Sequence, residues 1–224
     1  MARTVTLSSL ESQVRQRSDT ESLTDRFPQA EVWEYINQSW AELYNKIVQT
    51  GQEYYLSSSS FTTTAGTTDY AVPSDFYLDK GCDTTINGQV FVLDRWLWEE
   101  RGHYDLMTRW SPGMPWSYLV VGSNVSLRPA PAAVYTVVLW YYPAPTRMTA
   151  SGHTIDCLAG FEEYIVCDAA AKILVKDDRD PSAVLTQKAA AEQVIDMMIS
   201  NRSRSQPNRV LDIWRKGTPP LRAV

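Results

Sequence analysis

Residues 118–145 read YLVVGSNVSLRPAPAAVYTVVLWYYPAP, and this stretch decides the fold class. Leu119–Val121 is an apolar run, Gly122-Ser123-Asn124 supplies turn chemistry, and Val125 and Leu127 follow at a period of two. Pro129 and Pro131 halt the ladder, because proline has no N–H to donate to a neighbouring strand. Val134–Tyr142 is β-branched and aromatic and is stopped in turn by Pro143 and Pro145. The stretch therefore predicts two strands, a braked connection and a third strand.

Toward the N-terminus the period changes to helical. Ser8 and Glu11 have capping-box spacing, which predicts a short helix from Ser8 to about Arg17. Asp19–Asp25 reads as a polar linker, and Pro28 suits the first turn of a second helix. Val32, Ile36, Trp40, Leu43 and Ile47 form its apolar stripe, widened by Trp33 and Tyr44, and the helix is expected to end near Gly51.

Residues 53–92 are rich in Tyr, Thr, Ser and Val. Ser57–Ser60 reads as a loop or an edge, Phe61–Thr64 and Thr67–Val72 as strands around Ala65-Gly66, and Pro73 as a stop. Asn87-Gly88, between Thr84–Ile86 and Gln89–Leu93, is a strong hairpin signal. Trp96, Trp98, Tyr104, Trp110 and Trp116 crowd a turn-rich stretch that admits a short helix at Arg95–Arg101.

On the C-terminal side, a third helix is expected from Leu158 to about Lys176, apolar nearly all round. Such a helix buries two faces, one on its own chain and the other against a neighbouring copy. Asp180-Pro181 opens a fourth helix, lined by Val184, Ala191, Ile195 and Met198 and ending near Asn201. Its Ala189–Ala191 run lets another helix approach closely. The expected fold class is α+β, with a helical bundle from the N- and C-terminal segments and an inserted antiparallel β-rich domain. The expected divisions are 1–52, 53–150, 151–201 and an extended basic tail, 202–224.

The 224 residues carry a net charge of −5, unevenly spread. Residues 201–224 hold six basic residues and one acid, a net of +5, which leaves −10 on residues 1–200. An acidic body argues against general affinity for nucleic acid, and a basic tail suits an acidic surface or a solvated end. Cys82, Cys157 and Cys167 form no C-x-x-C and fit a reducing compartment. The N-terminal residues lack the apolar run of a signal peptide, and no membrane span is expected. The Asn-x-Ser matches at Asn37, Asn124 and Asn201 therefore carry no weight.

Enzyme chemistry is largely missing. His103 and His153 stand far apart, and no nucleophile elbow, P-loop or dinucleotide fingerprint occurs. Glu99-Glu100, Glu162-Glu163 and Asp177-Asp178 are adjacent pairs, which do not converge on a helix as a carboxylate dyad would. No catalytic residue, cofactor or metal ligand is expected. The tryptophan-rich stretch admits a glycan- or base-stacking platform. With Arg95, Arg101 and Arg109 as its sparse cations, core and interface packing explain it more simply. In the tail, Arg209, Val210, Leu211, Ile213, Trp214, Arg215 and Lys216 combine apolar anchors with charge, the pattern of a docking segment or of a tail folded back on its own helices.

Several segments together resemble the head-to-tail adaptor, or connector, proteins of tailed bacteriophages. Gly66-Thr67-Thr68-Asp69-Tyr70-Ala71-Val72-Pro73-Ser74-Asp75-Phe76-Tyr77 is similar to the G-T-x-x-Y-x-L-P-x-D-F-Y run of that family. Val121–Pro131 followed by Val138–Tyr142, and Glu163–Ala170 followed by Asp177–Ser182, resemble further segments of it. The likeness spans roughly residues 27 to 216. It implies a structural protein of the virion neck, a homododecameric ring below the portal protein that extends the DNA channel and offers a surface to the next tail component. Phe161, Ile165, Ala169, Ile173, Ala191 and Ile195 would then face neighbours in the ring, and Arg209–Lys216 would dock on the portal. Double-stranded DNA would pass without specific binding. The alternative is a tail or baseplate module that binds a receptor glycan through the tryptophan-rich insert.

Overall fold

The computed structural model describes residues 2–50, 53–102, 112–158 and 160–202. Helices and mainly antiparallel strands are segregated along the chain rather than alternating, an α+β fold. It divides into two compact units, residues 1–39 with 148–224, and residues 40–147. The division falls inside a helix, between Ser39 and Trp40.

In the first unit, β1 (Ala2–Thr6) pairs antiparallel with β10 (Thr154–Leu158), from Ala2↔Leu158 to Thr6↔Thr154. The expected start of a helix at Leu158 is thereby corrected: Thr154–Leu158 is a strand because β1 offers it a partner, with Ile155 buried. The chain passes from β1 directly into α1 (Leu7–Ser18). Thr6, with extended backbone, is its N-cap and accepts from the Ser9 N–H at 3.2 Å. This replaces the Ser8–Glu11 capping box, and the Glu11 carboxylate instead accepts from Gln29 at 2.9 Å and Trp33 at 2.7 Å.

The second helix, α2 (Gln29–Gln49), starts just after Pro28 as its proline demands. Helix α3 (Glu162–Lys176) follows β10, and α4 (Ser182–Arg202) follows the Asp180-Pro181 signal, with Asp180 Oδ1 accepting from the Ser182 N–H at 2.9 Å. Helix α1 packs on α3, and α3 on α4. Ten residues of α3 between Tyr164 and Leu174 are buried, so this helix is interior to the folded chain.

The second unit is a sandwich of two four-stranded sheets. One has the order β2 (Ser57–Thr62), β9 (Thr136–Pro143), β4 (Phe76–Ile86), β5 (Gln89–Val92). The other has the order β3 (Asp69–Ala71), β8 (Asn124–Arg128), β7 (Ser117–Val121), β6 (Asp94–Arg95). Cys82, Val137, Leu139 and Tyr141 of the first sheet meet Tyr118, Val125 and Leu127 of the second in one buried core. Alternate residues of β9 supply this face, as a strand's period of two requires.

The opening stretch forms its three strands, but the first two and the third lie in different sheets. Likewise the strands around Gly66 do not pair with each other: β2 pairs with β9 and β3 with β8. The Asn87-Gly88 hairpin is present, with φ of 50° and 78°, and β4 extends back beyond the expected Thr84–Ile86 to Phe76. One pairing, β6 with β7, is parallel. The short helix expected at Arg95–Arg101 is a 3-10 turn, Trp98–Glu100. Trp40, Tyr44, Tyr55 and Tyr77 pack edge-on or tilted around the second half of α2, and Tyr77 donates to Asn45 at 2.7 Å.

Candidate functional site

Among the described residues no cluster of His, Cys, Asp and Glu could hold a metal ion. No helix among them is long and apolar enough to cross a membrane. Each unit presents exposed surface over a buried interior.

In the first unit part of that interior is polar. Asp168, in the middle of α3, is 5% exposed. Its carboxylate accepts from Ser39 of α2 at 2.6 Å and pairs with Lys172 at 2.7 Å and Lys188 of α4 at 2.6 Å. Burial pushes the Asp168 carboxyl up, and the hydrogen bonds from Lys172, Lys188 and Ser39 overcome it, so the group is held below its ordinary value. Arg17 of α1 makes a second node, bonding Glu163 at 2.7 Å, the Cys167 thiol at 3.2 Å and the Gln187 carbonyl. The Arg17 bond holds Glu163 below the usual carboxylate range. The Arg17–Glu163 pair is partly exposed, whereas Asp168 is buried, and an arrangement of α2, α3 and α4 that left it without its lysines would cost several kcal/mol, on the order of 3–5.

Outside these contacts, α4 turns an apolar flank outward. Val194 is 48% exposed, Met197 57% and Met198 50%. At helical spacing they continue Ala190, and beside them a shallow hollow of about 370 Å³ is lined by Gly160, Glu163, Gln187, Ala190, Ala191 and Val194. The inward face of α4 is instead Val184, Ile195 and Ile199. Met198, expected on the lining face, stands outside it.

In the second unit, β5 is an edge strand with all four residues exposed, Val90, Phe91 and Val92 among them, and with neither lysine nor proline to blunt it. A cleft of about 240 Å³ is lined by Asp69, Trp96, Trp98, Arg101, Val121, Asn124, Ser126 and Arg128. Trp96 and Trp98 lie nearly parallel there, their centroids 6.3 Å apart. Arg128 sits over the first ring and Arg101 over the second. Trp96 is buried against its arginine, whereas Trp98 is 51% exposed at the cleft.

The residues singled out from sequence distribute as follows. Phe161, Ile165, Ala169, Ile173 and Ile195 are at most 1% exposed within the folded chain, and Ala191 is half-buried in the hollow beside α4. Most of the apolar surface of α3 is covered inside the folded chain, Val175 at its end being the exception at 61% exposed, and α4 leaves a larger apolar flank open. The docking segment Arg209–Lys216, like His103, Tyr104, Arg109 and Trp110, lies outside the described residues. The α4 flank had a usable sequence signal: Val194 and Met198 are four apart and off the Val184–Ile195–Ile199 face. Asp168 had one too, a lone charge within an apolar helix.

A family model described as SU10 adaptor protein matches residues 5–211. The chain belongs to this family, the tailed-phage head-to-tail adaptors that its motifs resemble. The match reaches further toward the N-terminus than the motifs did, taking in β1 from Val5 and all of α1. A search of curated proteins returned no match.

Proposed function

We propose that this phage adaptor forms a homododecameric ring below the portal in the virion neck, extends the DNA channel, and presents its surface to the next tail component. Membership of the adaptor family carries this reading. The exposed apolar flank of α4 gives each subunit a surface whose burial a neighbour would reward, at about 25 cal/mol per Å². Subunit contacts in the ring run through this flank and the hollow beside it, with Ala191 at the border, while Phe161, Ile165, Ala169, Ile173 and Ile195 support it from within. The tail segment, Arg209, Val210, Leu211, Ile213, Trp214, Arg215 and Lys216, docks on the portal by apolar anchors and charge. The net of −10 on residues 1–200 suits a channel wall past which DNA must slide, since each phosphate contact adds affinity that retards movement.

The direct test is electron microscopy of portal rings with and without this protein. A second ring of matching symmetry on the portal is expected, lost or depleted when the chain ends at Arg202. Full occupancy by the shortened chain would remove the docking role of the tail, and absence of any added ring would remove the adaptor position itself.

A further inference from the structure

We propose that the cleft of the β-sandwich unit is a sugar-binding site, with Asp69, Asn124, Ser126 and Arg128 as its floor and Trp98 as its wall. The site goes beyond the ring reading and uses none of the α4 surface.

The sheet builds the floor. Strand β3 pairs with β8 so that Asp69 stands directly opposite Ser126. Along β8, Val125 and Leu127 are fully buried in the core between the sheets. Asn124, Ser126 and Arg128 alternate with them and so share the face turned away from that core, at steps of roughly 6.8 Å. Val121 pairs with Asn124 and gives the cleft an apolar end.

Ser126 carries the argument. The residue is 5% exposed and lines the cleft, yet its hydroxyl has no hydrogen-bond partner among the described residues. Burying a hydroxyl without a partner is costly, so a cleft that keeps one suits a ligand that supplies the missing bond. The Asp69 carboxylate and the Asn124 amide, both exposed at the rim, are likewise without a partner among the described residues. The three offer an acceptor, an amide with both donors and an acceptor, and a hydroxyl that does either. A polyol answers all three, because each of its hydroxyls donates and accepts. The wall narrows the choice to a ring. Trp98 is 51% exposed, an apolar surface for the C–H face of a pyranose whose hydroxyls point to the floor. The cleft, about 240 Å³, has room for one such ring. Arg101 lies over Trp98 at 5.2 Å and gives one N–H to the Trp98 carbonyl at 3.2 Å. A stacked guanidinium keeps its other donors in its own plane, where a hydroxyl can take them. Asp69 repels a phosphate, which favours a sugar over a nucleotide.

The test is saturation-transfer NMR on the full chain with the methyl pyranosides of the common hexoses, 6-deoxyhexoses and N-acetylhexosamines, and with thymidine monophosphate as the nucleotide probe. A Kd in the millimolar range is expected for a single ring, with transfer strongest at the protons of one ring face. Asp69→Asn keeps the shape of the floor and should weaken binding about tenfold, as should Ser126→Ala, each with an unchanged melting temperature. Trp98→Ala should abolish the face-selective transfer, and Val90→Ala, on β5 of the other sheet, should change nothing. No transfer to any sugar at tens of millimolar overturns the proposal. So does binding that survives Asp69→Asn and Ser126→Ala unchanged, because the contact then lies elsewhere. Preference for thymidine monophosphate over every sugar overturns it as well, since the cleft would then read a base or a phosphate.

Discussion

Lys188 reaches from α4 to the Asp168 carboxylate of α3 at 2.6 Å, at a point where the carboxylate is 7% exposed and the lysine side chain 21%. Lys172 and Ser39 bond the same carboxylate, so one buried anion ties three helices. Asp168→Asn keeps the shape and removes the charge, leaving two lysines facing a neutral amide. A loss of about 3 kcal/mol is expected, at the lower end for a broken buried pair because both ammonium groups can turn toward water. Urea unfolding with an unchanged slope would measure it.

The same carboxylate makes stability depend on acid. Its folded value lies below its ordinary one, so as pH falls the unfolded chain takes up this proton first. Glu163, held down by Arg17, and Glu31, held down by Lys176, act in the same sense. Their contribution is complete above the ordinary carboxyl values, about 4, and is lost as pH drops through the folded ones. Unfolding free energy measured from pH 6 downward should fall steeply below pH of about 4 in the natural chain, and less steeply in Asp168→Asn. Parallel curves would show that Asp168 does not couple to folding.

Gly88 sits at φ 78° in the β4–β5 turn, with open space where a Cβ would go. Gly88→Ala therefore costs only the conformational penalty, about 1–2 kcal/mol. A lowered melting temperature with an unchanged circular dichroism spectrum is the expected outcome.

Cys82 is fully buried, and burial pushes its thiol up to about 12. Burial raises Cys167 to about 11, with Glu163 adding to the effect and Arg17 opposing it. Neither holds an appreciable thiolate at pH 8, so iodoacetamide should leave both unmodified until denaturant is added. Mapping the alkylated peptides by mass spectrometry checks each site separately.

Val194→Asp with Met198→Asp puts two charges on the exposed flank of α4 and touches no buried side chain. The stability of the isolated chain should change by less than about 0.5 kcal/mol, while ring assembly on a portal should be lost. Assembly that survives both charges would move the subunit contact elsewhere, with the open β5 edge the next surface to alter.

The periodic parts of this fold were legible in the chain. Val32 through Ile47 marked α2, Asp180-Pro181 marked the start of α4, and Asn87-Gly88 marked the hairpin, because each signal acts over a few residues. The misreadings share a cause at longer range. Ser8–Glu11 has capping spacing, but β1 delivers the chain into α1 two residues earlier, and Glu11 is taken by Trp33 of α2. Leu158 continues an apolar run but is paired with Ala2. Phe61 and Tyr70 stack on each other at the border of the core although their strands belong to different sheets. The surface was harder still. The apolar residues of α3 and α4 look alike in sequence, and only the packing of α1 and α4 on α3 decides which are covered.

The order in which strands enter the two sheets has a mechanical consequence. Successive strands visit one sheet, then the other, and back, so that β2 finds its partner in β9 and β3 in β8 only after most of the unit has been traversed. Neither sheet is a contiguous length of chain, and neither can be peeled away while the other stays intact. The unit is interlaced. It is expected to unfold as a whole rather than one sheet at a time.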